Sequence, residues 1–247
     1  TGAGLVAALA LRLLDGWRAT APAAPSQSPV RWSDVWSFDR SYWYICALHV
    51  LYAAVFFPFR QTYAIEYLQH AKGLTLQQAS QANAGVFLAA IFVTPLFGLL
   101  ADRIGHRALM LAIGTVLLPV TLLVLALTSI TPWFSTVLMG ISWSLVPAVI
   151  WPSTALIVAP RRLGTAIGVI ILLQAFGLWL SNRVAGWLAD RAGASAANPA
   201  GYDVMLLFFG LVSLAALASA LLLWQRERGP LGHGLERADL SSREHKA

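Results

Sequence analysis

The chain has 247 residues, of which 58% are hydrophobic and 11% are charged, and its mean hydropathy is +0.67. A soluble domain carries about 25% charged residues, so this composition excludes an ordinary water-soluble fold. The net charge of +6 comes from arginines scattered in short segments between apolar stretches. That distribution is typical of membrane topology signals, and it excludes a basic patch for a nucleic-acid partner.

The first 40 residues precede the first long apolar stretch. Residues 1–11 include a short apolar run that Arg12 interrupts, and they lack the basic start of a signal peptide. We expect them to be the end of a transmembrane helix whose beginning lies upstream. Residues 12–40 contain a Pro-, Ala- and Ser-rich stretch at 20–30, which predicts a cytoplasmic linker between two halves of a protein.

Six apolar stretches follow, each close to the roughly 20 residues that a helix needs to cross a bilayer. Backbone polar groups in lipid must be paired within the element, so these stretches predict helices. The predicted spans are residues 42–59, 81–101, 108–128, 133–158, 163–188 and 203–224. Residues 41–225 are thus predicted to form an all-α membrane bundle of six transmembrane helices. Residues 226–247 are predicted to be a flexible, polar cytoplasmic tail.

Lys and Arg are shared unevenly between the two sides of this predicted bundle. Thirteen lie on the side that holds both termini and the loops at 102–107 and 159–162, and four lie on the other side. The positive-inside rule therefore predicts that both termini are cytoplasmic. The Ala-, Leu- and Arg-rich composition favours a bacterial inner membrane.

The sharpest motif closes the second span and reads Gly98-Leu-Leu-Ala-Asp102-Arg103-Ile-Gly105-His106-Arg107. Gly98 permits close helix approach, and Gly105 permits a tight turn with positive φ. Asp102 places a negative charge at the membrane edge. There it can face the positive N-terminal end of another helix, an interaction worth roughly 0.3–2 kcal/mol, which can bias a two-state equilibrium. We therefore predict that this motif is a conformational-gating loop. The alternative is a generic charged loop that sets topology only.

This motif resembles the glycine–aspartate–arginine–glycine loop signature of the major facilitator superfamily, which follows the second helix of each six-helix half. Residues 138–152 (LMGISWSLVPAVIWP) and 157–168 (IVAPRRLGTAIG) resemble the tenth and eleventh helices of its lysosomal dipeptide transporter branch. The resemblance covers residues 42–190. It implies a C-terminal half whose partners are the lipid bilayer, a small solute and an N-terminal six-helix half of the same protein.

Two departures from that branch are visible in the sequence. Arg161 and Arg162 stand where the branch has more acidic or polar residues, and Arg183 stands where it has an apolar one. Because the Ala-, Leu- and Arg-rich composition also favours a bacterial origin, lysosomal location is not carried over to this chain.

Seven residues are candidates for lining a substrate cavity: His49, Tyr52, Arg60, Trp143, Trp151, Gln174 and Arg183. His49 and Tyr52 share one face of the first span, where polar groups face either a cavity or a partner helix. The resemblance implies a cavity role for Tyr52 and Gln174.

Trp143 and Trp151 lie eight positions apart on one stripe of the fourth span. Pro147 lies between them and Pro152 follows Trp151, and each proline is expected to bend the helix. They either line a cavity or pack against neighbouring helices. Arg60 and Arg183 lie near the outer ends of their spans, where each either snorkels to the interface or binds a substrate carboxylate.

The sequence lacks a GxxxxGK[ST] phosphate loop, an HExxH motif and a Cys/His cluster, so it predicts no cofactor, no metal and no catalytic residue. The favoured function is secondary active or facilitative transport of a small polar solute by alternating access. The resemblance points to dipeptides or amino-acid-like solutes carried by uniport. The alternatives are proton-coupled efflux of hydrophobic or anionic compounds, a non-transporting sensor, and an intramembrane enzyme, for which lone His49 is a poor basis.

Overall fold

A computed structural model describes residues 32–127 and 132–237. Six of its helices are long and apolar enough to cross a membrane: α1 (Arg40–His70), α2 (Leu76–Ile104), α3 (Arg107–Leu127), α4 (Pro132–Ile157), α5 (Leu163–Arg191) and α6 (Tyr202–Glu227). All regular secondary structure in these residues is helical. The predicted all-α membrane bundle is therefore confirmed. The predicted helix end at 1–11, most of the predicted linker and residues 238–247 lie outside the described residues.

The first helix is longer than its apolar stretch. It passes through a π-helical turn at Phe59–Tyr63, directly after Pro58, and continues to His70. In the segment Ala64–His70, Tyr67 and Leu68 are buried while Glu66 is exposed. An amphipathic segment of this kind has a low average hydropathy, which is why the hydropathy pattern ends the span at residue 59.

Side-chain caps begin the first two helices. Asp39 accepts a hydrogen bond from the backbone N–H of Ser41 and so caps α1, and Thr75 and Gln78 form a reciprocal capping box on α2. Gly105 ends α2 with φ at 71°, in the positive range that the sequence predicts. We call the side of the bundle where α2 ends and α3 begins the loop end.

The helices differ in how much of their surface this chain covers. Most of α1 and α3 is buried, because α1 packs against α5 and α6 while α3 packs against α4 and α6. Most of α2 and α5 is exposed, although both are strongly apolar. Large apolar side chains such as Phe92 on α2 and Phe176 on α5 face outward. Lipid or another membrane domain must cover these two faces.

The chain after α6 differs from the predicted flexible tail. The helix runs to Glu227, and the following residues fold back over the loop end, where Leu235 is fully buried. The hydropathy pattern misses this packing because a single buried leucine stands among polar residues.

Small residues allow the closest helix contact at α4. A Cβ atom at Gly140 would lie 2.7 Å from both the Val86 backbone oxygen and the Ala89 Cβ on α2. At Gly98, Gly164 and Gly168, a Cβ would meet nothing within 4 Å among the described residues. The close helix approach that the sequence predicts at Gly98 is therefore not made within this part of the chain.

We expect Gly140→Ala to lower the free energy of unfolding by about 1–3 kcal/mol, because the added methyl group overpacks the α2–α4 contact. The matched control is Gly210→Ala on α6, where a Cβ has open space. Thermal unfolding in detergent measures both variants. Equal stability of the two variants would contradict the assigned contact.

Candidate functional site

An aromatic cluster joins α1 to α4 in the interior of the bundle. It consists of Tyr52, Phe56 and Phe57 on α1 and Trp143 on α4. The Phe56 and Trp143 rings stack with centroids 4.2 Å apart and planes 9° apart, and the Phe57 ring meets Trp143 edge-on at 5.0 Å. Tyr52 and Phe56 are four positions apart, so both project from one face of α1. Trp143 remains half-buried, so part of its surface stays open.

The Tyr52 hydroxyl is held by a hydrogen-bonded chain that crosses three helices. Its oxygen lies 2.8 Å from Ser142 Oγ on α4, and Ser142 Oγ donates to the backbone oxygen of Gly114 on α3 at 2.7 Å. A serine hydroxyl has one proton, and the Gly114 carbonyl can only accept. Tyr52 must therefore donate to Ser142, so its proton is not available to a solute. The chain positions the Tyr52 ring as a wall of the site.

His49 links α1 to α5. Its Nε2 lies 2.7 Å from Gln174 Oε1, and its ring meets Trp151 of α4 edge-on with centroids 5.1 Å apart. Gln174 Oε1 only accepts, so His49 Nε2 carries a hydrogen. No hydrogen bond to Nδ1 of His49 is found among the residues that the structure describes. In the neutral ring this nitrogen can accept a hydrogen bond.

Five of the seven candidate cavity residues thus come together on α1, α4 and α5: His49, Tyr52, Trp143, Trp151 and Gln174. The helical rise separates Trp143 from Trp151 by about 12 Å along α4, which sets the length of this surface. We call it the polar–aromatic surface. It combines aromatic faces with one imidazole and one amide.

Arg60 lies apart from the polar–aromatic surface, in the π-helical turn of α1. Its Nη1 donates to the Asn83 backbone oxygen on α2 at 2.8 Å, and Asn83 Nδ2 donates back to the Arg60 oxygen at 3.2 Å. The guanidinium also lies over the Phe87 ring, 3.9 Å from its centroid. Arg60 is buried, so it does not snorkel outward. It ties α1 to α2 at the end of the bundle opposite the loop end.

Arg183 is exposed on α5 and is not among the residues that the structure brings together. For both Arg60 and Arg183, the sequence left open whether they snorkel or bind a substrate carboxylate. In the structure, Arg60 is held by α2, whereas Arg183 points away from the bundle. Its exposed position is compatible with the snorkelling interpretation.

An ion pair joins the two ends of the loop at residues 102–107, which we call the motif loop. Arg107 Nη2 lies 3.1 Å from Asp102 Oδ1; the Asp102 side chain is 69% exposed and that of Arg107 is 10% exposed. Arg103 is exposed beside them, and Gly98 stands four positions before Asp102. Asp102 is therefore paired with Arg107 within the described chain. The sequence suggested the N-terminal end of another helix as its partner.

A recess of about 490 Å³ lies between α1, α5 and α6, away from the polar–aromatic surface. Its lining is apolar and includes Trp43, Cys46 and Phe208, and the Ser181 hydroxyl donates to the Ala54 backbone oxygen. Such a lining suits hydrocarbon and offers nothing to orient a polar solute. The polar–aromatic surface is therefore the better candidate site for such a solute.

We expect Ser142→Ala to destabilise the protein more than Tyr52→Phe, although it removes a similar number of atoms. Tyr52→Phe leaves Ser142 bonded to Gly114 and should cost about 0.5–1.5 kcal/mol. Ser142→Ala leaves both the Tyr52 hydroxyl and the Gly114 carbonyl without their partner, at about 1–3 kcal/mol for each unpaired group. Unfolding in detergent compares the two variants, and the reverse order would contradict the assigned chain.

Comparison with known proteins shows the family of this chain. The family model described as Major Facilitator Superfamily matches residues 32–244. The lysosomal dipeptide transporter MFSD1 of Bos taurus and that of Homo sapiens are each 31% identical over 223 residues, covering 88% of this chain and 46% of the relative. The Danio rerio protein of the same name is 32% identical over 197 residues, which cover 79% of this chain and 40% of that relative. The chain spans about half the length of the curated relatives it matches. It belongs to the major facilitator superfamily.

Proposed function

We propose that this chain is one half of a secondary transporter that carries a small polar solute across a membrane by alternating access. The observation that carries this proposal is the polar–aromatic surface inside a bundle of membrane-spanning helices. Polar side chains are costly at that depth and usually mark a substrate path. His49 and Gln174 are placed there together with open aromatic faces.

The proposed solute is a dipeptide or a similar zwitterion. The relatives are named dipeptide transporters, and the polar–aromatic surface suits the ammonium group of such a solute. Tryptophan faces attract ammonium through the ring quadrupole, and Nδ1 of His49 accepts a hydrogen bond. These two groups are neighbours, because the His49 and Trp151 ring centroids are 5.1 Å apart.

The carboxylate of the same solute needs a partner elsewhere. Arg60 lies 11 positions after His49 on α1, or about 16 Å along the helix. An extended dipeptide spans about 7 Å, and the Arg60 guanidinium is held by Asn83 and Phe87, so Arg60 is a poor partner for a solute bound at His49. We propose that a second six-helix half supplies the carboxylate partner and covers the exposed apolar faces of α2 and α5. Its support is that the relatives are about twice as long as the matched region.

The proposed mode is uniport, with the loop end facing the cytoplasm. Its support is that the Asp and Glu residues in the described helices lie near helix ends, so this half offers no carboxylate relay within a span. Proton-coupled transport is the second candidate, and the observation that favours it is His49, a titratable group inside the membrane-spanning part of α1. Dependence of transport on a proton gradient separates the two modes.

We expect Trp151→Ala in the full-length protein to weaken dipeptide binding by about tenfold, because an aromatic contact to a cation is worth about 0.5–2 kcal/mol. The amount of folded protein should stay near that of the unmodified protein. The control is Trp187→Ala on the exposed face of α5. Binding of labelled dipeptide to purified protein provides the measurement. Equal losses of binding and of folded protein would make Trp151 a packing residue.

We expect Asp102→Asn to shift the balance between the two access states while leaving membrane insertion intact. The substitution removes the charge that pairs with Arg107, and an ion pair whose carboxylate is exposed is worth up to about 1 kcal/mol. Cysteine labelling from each side of the membrane measures the balance. The matched control is Asp190→Asn, which changes an exposed carboxylate at the end of α5 that lies opposite the loop end. Unchanged labelling in Asp102→Asn would contradict a role of Asp102 in setting the balance between the two access states.

A further inference from the structure

The residues after α6 form a segment that contacts the motif loop directly. We call residues 229–237 the tail segment. The Leu235 side chain is fully buried, and its backbone oxygen accepts a hydrogen bond from the N–H of Arg107 at 2.8 Å. Arg107 is the first residue of α3, so this N–H has no partner within the helix. The tail segment thus completes the start of α3.

Glu236 makes the strongest contact between the tail segment and the loop. One carboxylate oxygen accepts from the backbone N–H of Leu109 at 3.1 Å, and the other lies 2.9 Å from Nδ1 of His106. The Glu236 side chain is 14% exposed. A carboxylate at a helix N-terminus meets both free N–H groups and the positive end of the helix dipole. Glu236 therefore caps α3 from a distant part of the sequence.

The other end of the tail segment is anchored to α6 and α1. Glu227 is buried and accepts from Ser41 Oγ at 2.7 Å and from the backbone N–H of His233 at 2.7 Å. A Cβ atom at Gly232 would overlap the Glu227 backbone oxygen. The segment can approach α6 this closely because position 232 has no side chain.

An ion pair between the helix ends supports this anchor. Arg226 Nη2 lies 2.8 Å from Asp39 Oδ1, just before α1. Burial alone would raise the pKa of Asp39, but hydrogen bonds from the Ser41 N–H and from Arg226 outweigh it and lower the pKa below its ordinary value. The carboxylate is therefore charged at neutral pH, and it holds the ends of α1 and α6 together.

We propose that Glu236 is a positioning residue for the motif loop, and that the tail segment is a strap tying this loop to the ends of α1 and α6. The contact of Glu236 with His106 and Leu109 stabilises the loop conformation in which Asp102 pairs with Arg107. A change in that loop during alternating access then requires release of Glu236. The proposal rests on the proposed transport function, because it assigns the strap a bias between two access states.

The test uses the full-length protein in proteoliposomes, with Cys46→Ser and with any further native cysteines replaced. A reporter cysteine is placed at the loop end by Arg103→Cys or at the opposite end by Gln61→Cys; both positions are exposed. The rate of modification by a membrane-impermeant maleimide is measured from the side that each reporter faces. Each reporter is combined with Glu236→Gln, with Glu236→Asp, or with the control Arg237→Gln, which changes the exposed neighbouring residue.

We expect Glu236→Gln to change the two rates in opposite directions, by about threefold each. Glu236→Asp should restore part of the difference, and Arg237→Gln should change neither rate. A purely structural role for Glu236 predicts that both rates rise together as the protein loosens, and that result, or unchanged rates, would overturn the proposal.

A second variant covers the case in which Glu236→Gln does not fold. Gly232→Ala displaces the tail segment from α6 and leaves Glu236 itself intact, so it should produce the same opposite changes. Failure of both variants to fold would show that the segment is needed for folding only, which also overturns the proposal. The labelling needs no solute. Opposite rate changes without dipeptide uptake would therefore count against the proposed solute alone.

Discussion

Polar side chains inside a membrane bundle must find partners within the protein, because the lipid offers none. One linked set of groups in the interior of this chain meets that constraint, whereas Ser135 Oγ and Ser153 Oγ on α4 are buried without a partner among the described residues. Tyr52 is satisfied by Ser142, Ser142 by the Gly114 carbonyl, and His49 by Gln174. These bonds join α1 to α3, α4 and α5, so the polar groups also set how the helices are placed. Among the described residues, Nδ1 of His49 has no hydrogen bond, and this nitrogen and the aromatic faces beside it form the surface that we propose binds the solute.

Much of the fold follows from the sequence because the bilayer imposes a simple rule of length and hydropathy. All six helices coincide with apolar stretches. The segment Ala64–His70 escapes that rule because only one of its faces is buried. The packed tail segment escapes it as well, since it is held by one leucine and by hydrogen bonds from distant residues such as Glu236.

The candidate site was only partly predictable. Helical spacing places His49 with Tyr52, and Trp143 with Trp151, on shared faces. No spacing within one helix predicts that Gln174 bonds His49, or that Asn83 holds Arg60, because these contacts depend on how different helices pack. Ser142 has no sequence signal at all. Its importance comes from lying between a buried hydroxyl on one helix and a carbonyl on another.

The most direct test of the central claim is uptake of labelled dipeptides into proteoliposomes that contain the full-length protein, with and without a proton gradient. We expect saturable uptake at the same rate under both conditions, because this half carries no carboxylate relay within its spans. Uptake that requires the gradient would contradict uniport and assign a coupling role to His49 or to residues of a second half. Absence of uptake under both conditions would contradict the proposed solute and the role of the polar–aromatic surface in binding it.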